Sequence, residues 1–334
     1  MPKLPKLQVG LVGCGAFGES HLAAFRGIPY VQVAAVTDII EERARKLAAQ
    51  YGIEQVTQDY QELCALPKLD AVSVVTTEDQ HLEPVLKALD HGKHVFVEKP
   101  IATRVEDAEK MIEAARKAGR ILMPGHLLRF ETRYALVKEQ LTSGRLGRIV
   151  SIFARRNRPK KQGVIYKRTP LVLETAIHDI DTMLWYTGKE VRSVKAYEVA
   201  LEPGGEADLL WAVLQFEDGA LGVLQTMWLL PDKTEALDDS MQVVTTSGVA
   251  NIEISHSGLT LWREEGPEMP DVSYEPRLYG AAYGGLREEL SYFALCALEG
   301  RSPTVVTSED GVSALRVGLA VIESARIGRE VTLT

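Results

Sequence analysis

Val9-Gly10-Leu11-Val12-Gly13-Cys14-Gly15-Ala16-Phe17-Gly18 places a Gly-x-Gly-x-x-Gly loop directly behind an apolar strand. Gly13 allows a tight turn, and Gly15 lets the backbone approach a pyrophosphate with no Cβ in the way. Gly18 lets the next helix, over about residues 17–26, pack closely on the strand. Ala16 and Phe17 open that helix, whose unpaired N–H groups and dipole favour an anion. A second apolar run, Val31–Thr37, ends at Asp38. That acid lies about 20 residues past Gly18, where a dinucleotide fold carries its ribose-binding carboxylate. A carboxylate hydrogen-bonds a 2′-hydroxyl and repels a 2′-phosphate, and no Arg or Lys follows until Arg43. NAD is therefore expected rather than NADP.

The surrounding chain repeats the same rhythm. Strands are predicted at residues 8–12, 31–37, 55–56, 71–76, 94–98 and 121–124. Helices at 17–26, 41–51, 60–65, 82–91 and 105–118 alternate with them. Near-continuous apolar strands separated by helices imply a parallel sheet covered on both faces, and right-handed crossovers make it doubly wound. From His126 the pattern changes. Helices are predicted at 133–143, 174–186, 283–298 and from 309 onward. Strands are predicted at 148–156, 191–200, 209–217, 220–229, 241–246, 249–254 and 259–262, with hairpin signals at Asp218-Gly219 and Ser247-Gly248. The fold class is thus α/β: a Rossmann domain over residues 1–125, then an α+β domain over 126–334 with one large, mainly antiparallel open sheet.

With 334 residues, 46% of them hydrophobic, the chain can bury the cores of two domains. A formal net charge of −8 implies no basic face, so neither a nucleic acid nor a membrane surface is expected as partner. The one basic cluster, residues 155–161 with Lys167 and Arg168, reads equally as a solvated loop or as a site for an acidic or phosphorylated substrate. Cys14, Cys64 and Cys296 form no disulfide framework, and no apolar run is long enough to span a bilayer. The Lys3–Lys6 start lacks the pattern of a cleaved leader. A cytoplasmic location is expected.

A second motif stands at Gly92-Lys93-His94-Val95-Phe96-Val97-Glu98-Lys99-Pro100. A strand ending in Glu-Lys-Pro leaves Lys99 at the carboxyl edge of the sheet, where open α/β sheets bind ligands. Pro100 biases Lys99 away from helical dihedrals. By spacing alone, a surface lysine on a turn explains it as well as catalysis does.

The glycine loop, Asp38, Glu98-Lys99-Pro100, Gly125-His126-x-x-Arg129-Phe130, Ser143-Gly144-Arg145-Leu146-Gly147 and Glu174-x-x-x-His178-Asp179-x-Asp181, in this order, resemble the Gfo/Idh/MocA family of oxidoreductases. The resemblance spans nearly the whole chain. It implies hydride transfer between NAD(H) and a hydroxyl or keto carbon of a sugar, cyclitol or related polyhydroxylated small molecule. It also implies a homodimer or homotetramer built through the second domain's sheet. Carried over, Lys99 is the catalytic lysine that hydrogen-bonds the reacting oxygen. A lysine pKa of roughly 10.4 must fall for such work at neutral pH. Glu98 is expected at the nicotinamide ribose, with Thr76, Thr77 and His81 along the cofactor. A helix-capping role serves for His81 equally well.

His178 is the second catalytic candidate, with Glu174 one helical turn before it on the same face and Asp181 three residues on. The family usually carries Asp where this chain has Glu174. The extra methylene adds about 1.5 Å of reach, of the order that can change a rate about a hundredfold. Arg156, Arg158, Lys161 and Tyr283 are the positional candidates for substrate contact. No metal is expected, since hydride transfer needs none and no cluster has ligand spacing. The same residues would also serve a redox-neutral, NAD-using glycosidase or lyase, or a non-catalytic sensor on this scaffold.

Overall fold

The computed structural model describes residues 6–333 except 167, 203, 235, 236, 256, 257 and 265; Lys167 of the basic cluster thus lies outside the described residues. The chain forms two compact units, Met1–Phe130 with Tyr274–Val312 and Glu131–Ser273 with Ser313–Thr334. In the first, strands β1 (Leu7–Val12), β2 (Val31–Thr37), β3 (Gln55–Thr57), β4 (Ala71–Val74), β5 (His94–Val97) and β6 (Leu122–Pro124) make an all-parallel sheet. Their order is β3-β2-β1-β4-β5-β6. The crossover helices are α1 (Ala16–Arg26), α2 (Glu41–Tyr51), α3 (Tyr60–Ala65), α4 (Leu82–Asp90) and α5 (Val105–Ala118). Every residue of β4 is buried, as coverage on both faces requires. Helix α5 buries Ala108, Met111 and Ala115 on one stripe, with Glu106 and Asp107 in its first turn and Arg116 and Lys117 in its last, matching the dipole. Strand order reverses between β1 and β4, the place where such sheets bind ligands.

The second unit starts with α6 (Thr132–Thr142), whose N-terminus is capped by the Glu131 carboxylate through Arg133 N at 2.9 Å. Strand β7 (Ile149–Pro159) runs into a short helix α7 (Lys160–Ile165). A π-helical turn, Val172–Ala176, then leads into α8 (Ile177–Thr187). Strands β8 (Val191–Val199), β9 (Leu209–Phe216), β10 (Leu221–Leu230), β11 (Asp238–Thr245) and β12 (Val249–Glu253) follow. With β7 and a terminal β17 (Val331–Thr332) they form one seven-stranded sheet, order β12-β11-β7-β10-β9-β8-β17. Only the β7–β10 pair is parallel. The strand expected at 259–262 is instead β13 (Leu261–Arg263), which pairs with β14 (Gly266–Glu268) outside that sheet. The solvated loop considered for 155–161 is also corrected: residues to 159 belong to β7, in the middle of the sheet, and α7 follows.

The remaining segment differs most from the sequence reading. Hairpin β15 (Arg277–Leu278) and β16 (Ala281–Ala282) and helix α9 (Gly285–Glu299) belong to the first unit, not to the half beginning at 126. The cause is an apolar stripe, Leu286, Leu290, Phe293 and Ala294, that packs into one core with Val9, Phe25, Phe96 and Met123. The Phe96 and Phe293 rings meet edge to face at 5.7 Å. Arg129, 4% exposed, ties the segment down by bonds to the Val305 carbonyl at 2.8 Å and the Asp310 carboxylate at 3.1 Å. The last helix, α10 (Ser308–Ile327), begins here. No described helix is long and apolar enough to cross a membrane.

Candidate active site

The glycine loop leaves β1 at the switch point. Gly13 has φ of +102°, and a Cβ there would lie 2.4 Å from the Val75 carbonyl oxygen, so the turns after β1 and β4 touch only because residue 13 has no side chain. At Gly18 a Cβ would meet the Gly13 carbonyl oxygen at 2.2 Å. Gly15 differs: nothing lies within 4 Å of its Cβ position, so an open approach stands above the loop. It is also the N-cap of α1 and makes no side-chain cap, leaving that terminus to an anion. Asp38 closes the cradle. Its Oδ2 accepts from Cys14 N at 2.7 Å and its Oδ1 from Ile40 N at 2.8 Å. Each carboxylate oxygen keeps further acceptor capacity for a ribose hydroxyl. The residues present therefore fit a dinucleotide.

Glu98, Lys99 and Pro100 follow β5 at the same edge. The Glu98 carboxylate is turned inward at 6% exposure. Its Oε1 pairs with Nε2 of His21 at 3.0 Å, and its Oε2 accepts from Lys99 N at 3.1 Å. His21 is fully buried, and its Nδ1 meets Ser73 Oγ at 3.0 Å. A Cβ at residue 125 would fall 2.9 Å from Glu98 Oε1, which is why glycine stands there. The sequence reading missed His21 and Ser73. His21 lies three residues past Gly18, on the helix face turned to the sheet, and Ser73 is the polar residue of an apolar strand. His81 is 1% exposed, its Nδ1 3.0 Å from the Pro100 carbonyl and its Nε2 3.3 Å from that of Thr76. Both ring nitrogens therefore face backbone, and the ring makes no side-chain cap on α4. Thr76 and Thr77 bond the Gln80 carbonyl at 3.2 Å and Asp79 at 2.7 Å, shaping the turn that follows β4.

In the second unit, Glu174 sits in the π-helical turn and His178 in the first turn of α8. Across residues 171–181 these two are the only ones not buried, so the helical period puts both on one accessible stripe. Asp181 is buried at 1% exposure. Two hydroxyls fix the turn: Thr175 Oγ1 lies 2.6 Å from the Leu171 carbonyl and 2.8 Å from Thr226 Oγ1 of β10, and its single proton serves one of the two. Thr226 in turn donates to the Arg156 carbonyl of β7 at 2.7 Å. Such wide turns recur at functional sites.

The positional substrate candidates fare differently. Arg156 is 2% exposed and spans two acids, Asp179 through Nε at 2.8 Å and Nη2 at 3.0 Å, and Asp239 through Nη1 at 2.7 Å. Arg158 pairs with Asp239 as well. Arg156 is thus a core residue rather than a surface contact, because the inner side of the sheet needs its charge to neutralise two buried carboxylates. Burial pushes the Asp179 carboxyl up, and the Arg156 guanidinium opposes that. Lys161 is exposed on α7, its N–H bonded to Asp232. Tyr283 belongs to the first unit, its ring under the Arg287 guanidinium at 4.2 Å. Among the described residues, no group of three or more His, Cys, Asp or Glu could hold a metal ion.

Comparison with known proteins matches two family models. An oxidoreductase family model with NAD-binding Rossmann fold, GFO_IDH_MocA, covers residues 7–126, and the GFO/IDH/MocA C-terminal domain covers 134–251. The chain is 29% identical to a myo-inositol 2-dehydrogenase of Thermotoga maritima, over 98% of each protein. It is 27% identical to a scyllo-inositol 2-dehydrogenase (NAD(+)) of Bacillus subtilis, over 98% of this chain and 96% of that one. The solved structure of a scyllo-inositol dehydrogenase from Lactobacillus casei, with NAD(H) and scyllo-inositol bound, shares the fold at a TM-score of 0.83 and 24% identity, over 98% and 99% of the two chains.

Proposed function

The chain belongs to the Gfo/Idh/MocA family of NAD-binding oxidoreductases, and from that premise we propose that it interconverts a cyclitol and its keto form. It is an NAD-dependent dehydrogenase acting on CH–OH groups. The observation that carries the proposal is the position of Lys99, two residues past the end of β5, at the edge where the glycine cradle and Asp38 stand. The inositol dehydrogenases similar over nearly its whole length supply the substrate class.

Bound NAD supplies the hydride acceptor. Gly13, Gly15 and Gly18 with the N–H groups of Ala16 and Phe17 hold its phosphates, and Asp38 its adenosine ribose. Thr76 and Thr77 shape the loop alongside. Glu98, buried against His21, aligns the Lys99 backbone and reaches the second ribose only through its remaining acceptor capacity. Lys99 Nζ hydrogen-bonds the reacting oxygen and stabilises its charge. His178 takes the hydroxyl proton at a ring nitrogen. Glu174, on the same stripe, orients the substrate or the imidazole.

The protein is further proposed to work in the cytoplasm as a homodimer or homotetramer. The outer face of the seven-stranded sheet supports assembly: Tyr197, Val199, Trp211, Val213 and Leu221 are exposed there, and Phe153 stacks on Trp211 at 6.2 Å. Apolar area of this kind on a sheet suits a second copy of the chain.

The test incubates the protein with NAD⁺ and a panel of inositols, sugars and sugar acids while reduced nicotinamide is followed. Turnover of inositols, abolished in Lys99→Met with NADH binding retained, is expected. A cofactor that copurifies and shows no net reduction on any substrate would instead favour redox-neutral chemistry.

A further inference from the structure

His81 reads from the sequence as a cofactor contact, but both of its ring nitrogens face backbone carbonyls. It is buried, with Nδ1 on the Pro100 carbonyl at 3.0 Å and Nε2 on the Thr76 carbonyl at 3.3 Å. These carbonyls belong to two segments that leave neighbouring strands. Thr76 opens the turn after β4, and Pro100 immediately follows Lys99. On the other side of the lysine, Glu98 is held by His21. The peptide carrying Lys99 is therefore anchored once before it and once after it, each time by a buried imidazole.

We propose that His81 is a positioning residue for Lys99: it ties the Pro100 carbonyl to the turn after β4 and so fixes where the lysine leaves the sheet edge. Burial lowers the tendency of His81 to protonate, against the pull of Glu98 and the nearby carbonyls. A neutral ring carries one N–H. The shorter contact takes it, so Nδ1–H donates to the Pro100 carbonyl, while the unprotonated Nε2 only lies against the Thr76 carbonyl and makes no hydrogen bond to it. The assignment rests on Lys99 being the lysine that meets the reacting oxygen, and it changes the expected role of His81 from binding NAD to placing that amine.

The chemistry of the amides separates the two contacts. An Asn side chain presents its N–H near the position of Nδ1, whereas Gln presents it near Nε2. The experiment uses the NADH-bound protein, with acetic anhydride as probe and mass spectrometry of the Lys99 peptide as readout, alongside kcat on inositol and NADH titration. His81→Ala is expected to speed Lys99 acetylation by roughly fivefold, the scale of one lost hydrogen bond. It should lower kcat by roughly ten- to a hundredfold, as a displacement of about 1 Å can. His81→Asn restores both, His81→Gln restores neither, and NADH affinity stays within about threefold in all three. If the Ala variant does not fold, the contrast between Asn and Gln alone decides. An Asn variant no better than Gln, or an NADH affinity that falls in step with kcat, overturns the inference. Absence of inositol turnover in the unaltered protein, with the acetylation contrast intact, would refute the substrate class and leave the role of His81 standing.

Discussion

Replacing Arg156 by Met distinguishes a residue of the core from one that meets substrate. The guanidinium makes two bonds to Asp179 and one to Asp239 while only 2% exposed. Asp239 keeps Arg158 in the variant, so the loss falls on Asp179. Removing one partner of a buried pair costs about 3–5 kcal/mol, because the other charge stays desolvated. A unit of this size loses about 2–4 °C in Tm per kcal/mol, giving a fall of about 6–20 °C. The pH dependence gives the sign an independent check. Burial raises the Asp179 pKa, and an acid whose folded pKa exceeds its unfolded value binds more protons when folded. Its contribution is then most unfavourable above the folded pKa and relieved as pH falls toward the ordinary value of about 4. Without Arg156 the folded pKa rises further, so the Tm gap between variant and parent should narrow from pH 8 to pH 5. Calorimetry across that range measures it. A variant with unchanged Tm and a raised KM would refute the reasoning and return Arg156 to the substrate.

Asp38→Ser should raise the affinity for NADPH relative to NADH by roughly tenfold or more, since it removes a like charge from the 2′-phosphate; an unchanged ratio in parallel titrations would contradict the ribose assignment. Gly18→Ala puts a methyl 2.2 Å from the Gly13 carbonyl, and the loop and α1 must separate, costing about 1–3 kcal/mol and most NADH binding. Normal NADH titration in that variant would contradict the fitted cradle. Lys99→Met should lose turnover and keep NADH binding, and equal loss of both would mark a structural lysine. Burial and then Asp38 push the Cys14 thiol up to about 12. Native alkylation by iodoacetamide at pH 7.5 should therefore be about three orders of magnitude slower than for a free cysteine, and fast loss of NADH binding would contradict it.

Some of the protein is determined by sequence alone, because the determinants are local. The Gly13–Gly18 spacing admits one loop, the apolar runs of β1, β4 and β5 suit only a sheet covered on both faces, and Glu98-Lys99-Pro100 ends a strand whatever surrounds it. Glu174 and His178 share a stripe because the helical period puts them there. What only tertiary structure decided depends on partners far away in sequence. No pattern in residues 286–294 says which core their stripe joins, and it is Phe96 and Met123 that claim it. Arg156 resembles any surface arginine until Asp179 and Asp239 arrive, 23 and 83 residues away. Nothing in the residues beside His21 and His81 names their partners, and their roles exist only because Glu98, Thr76 and Pro100 are brought within hydrogen-bond reach. A buried polar group must find its partner, and a linear sequence shows the need but not the partner.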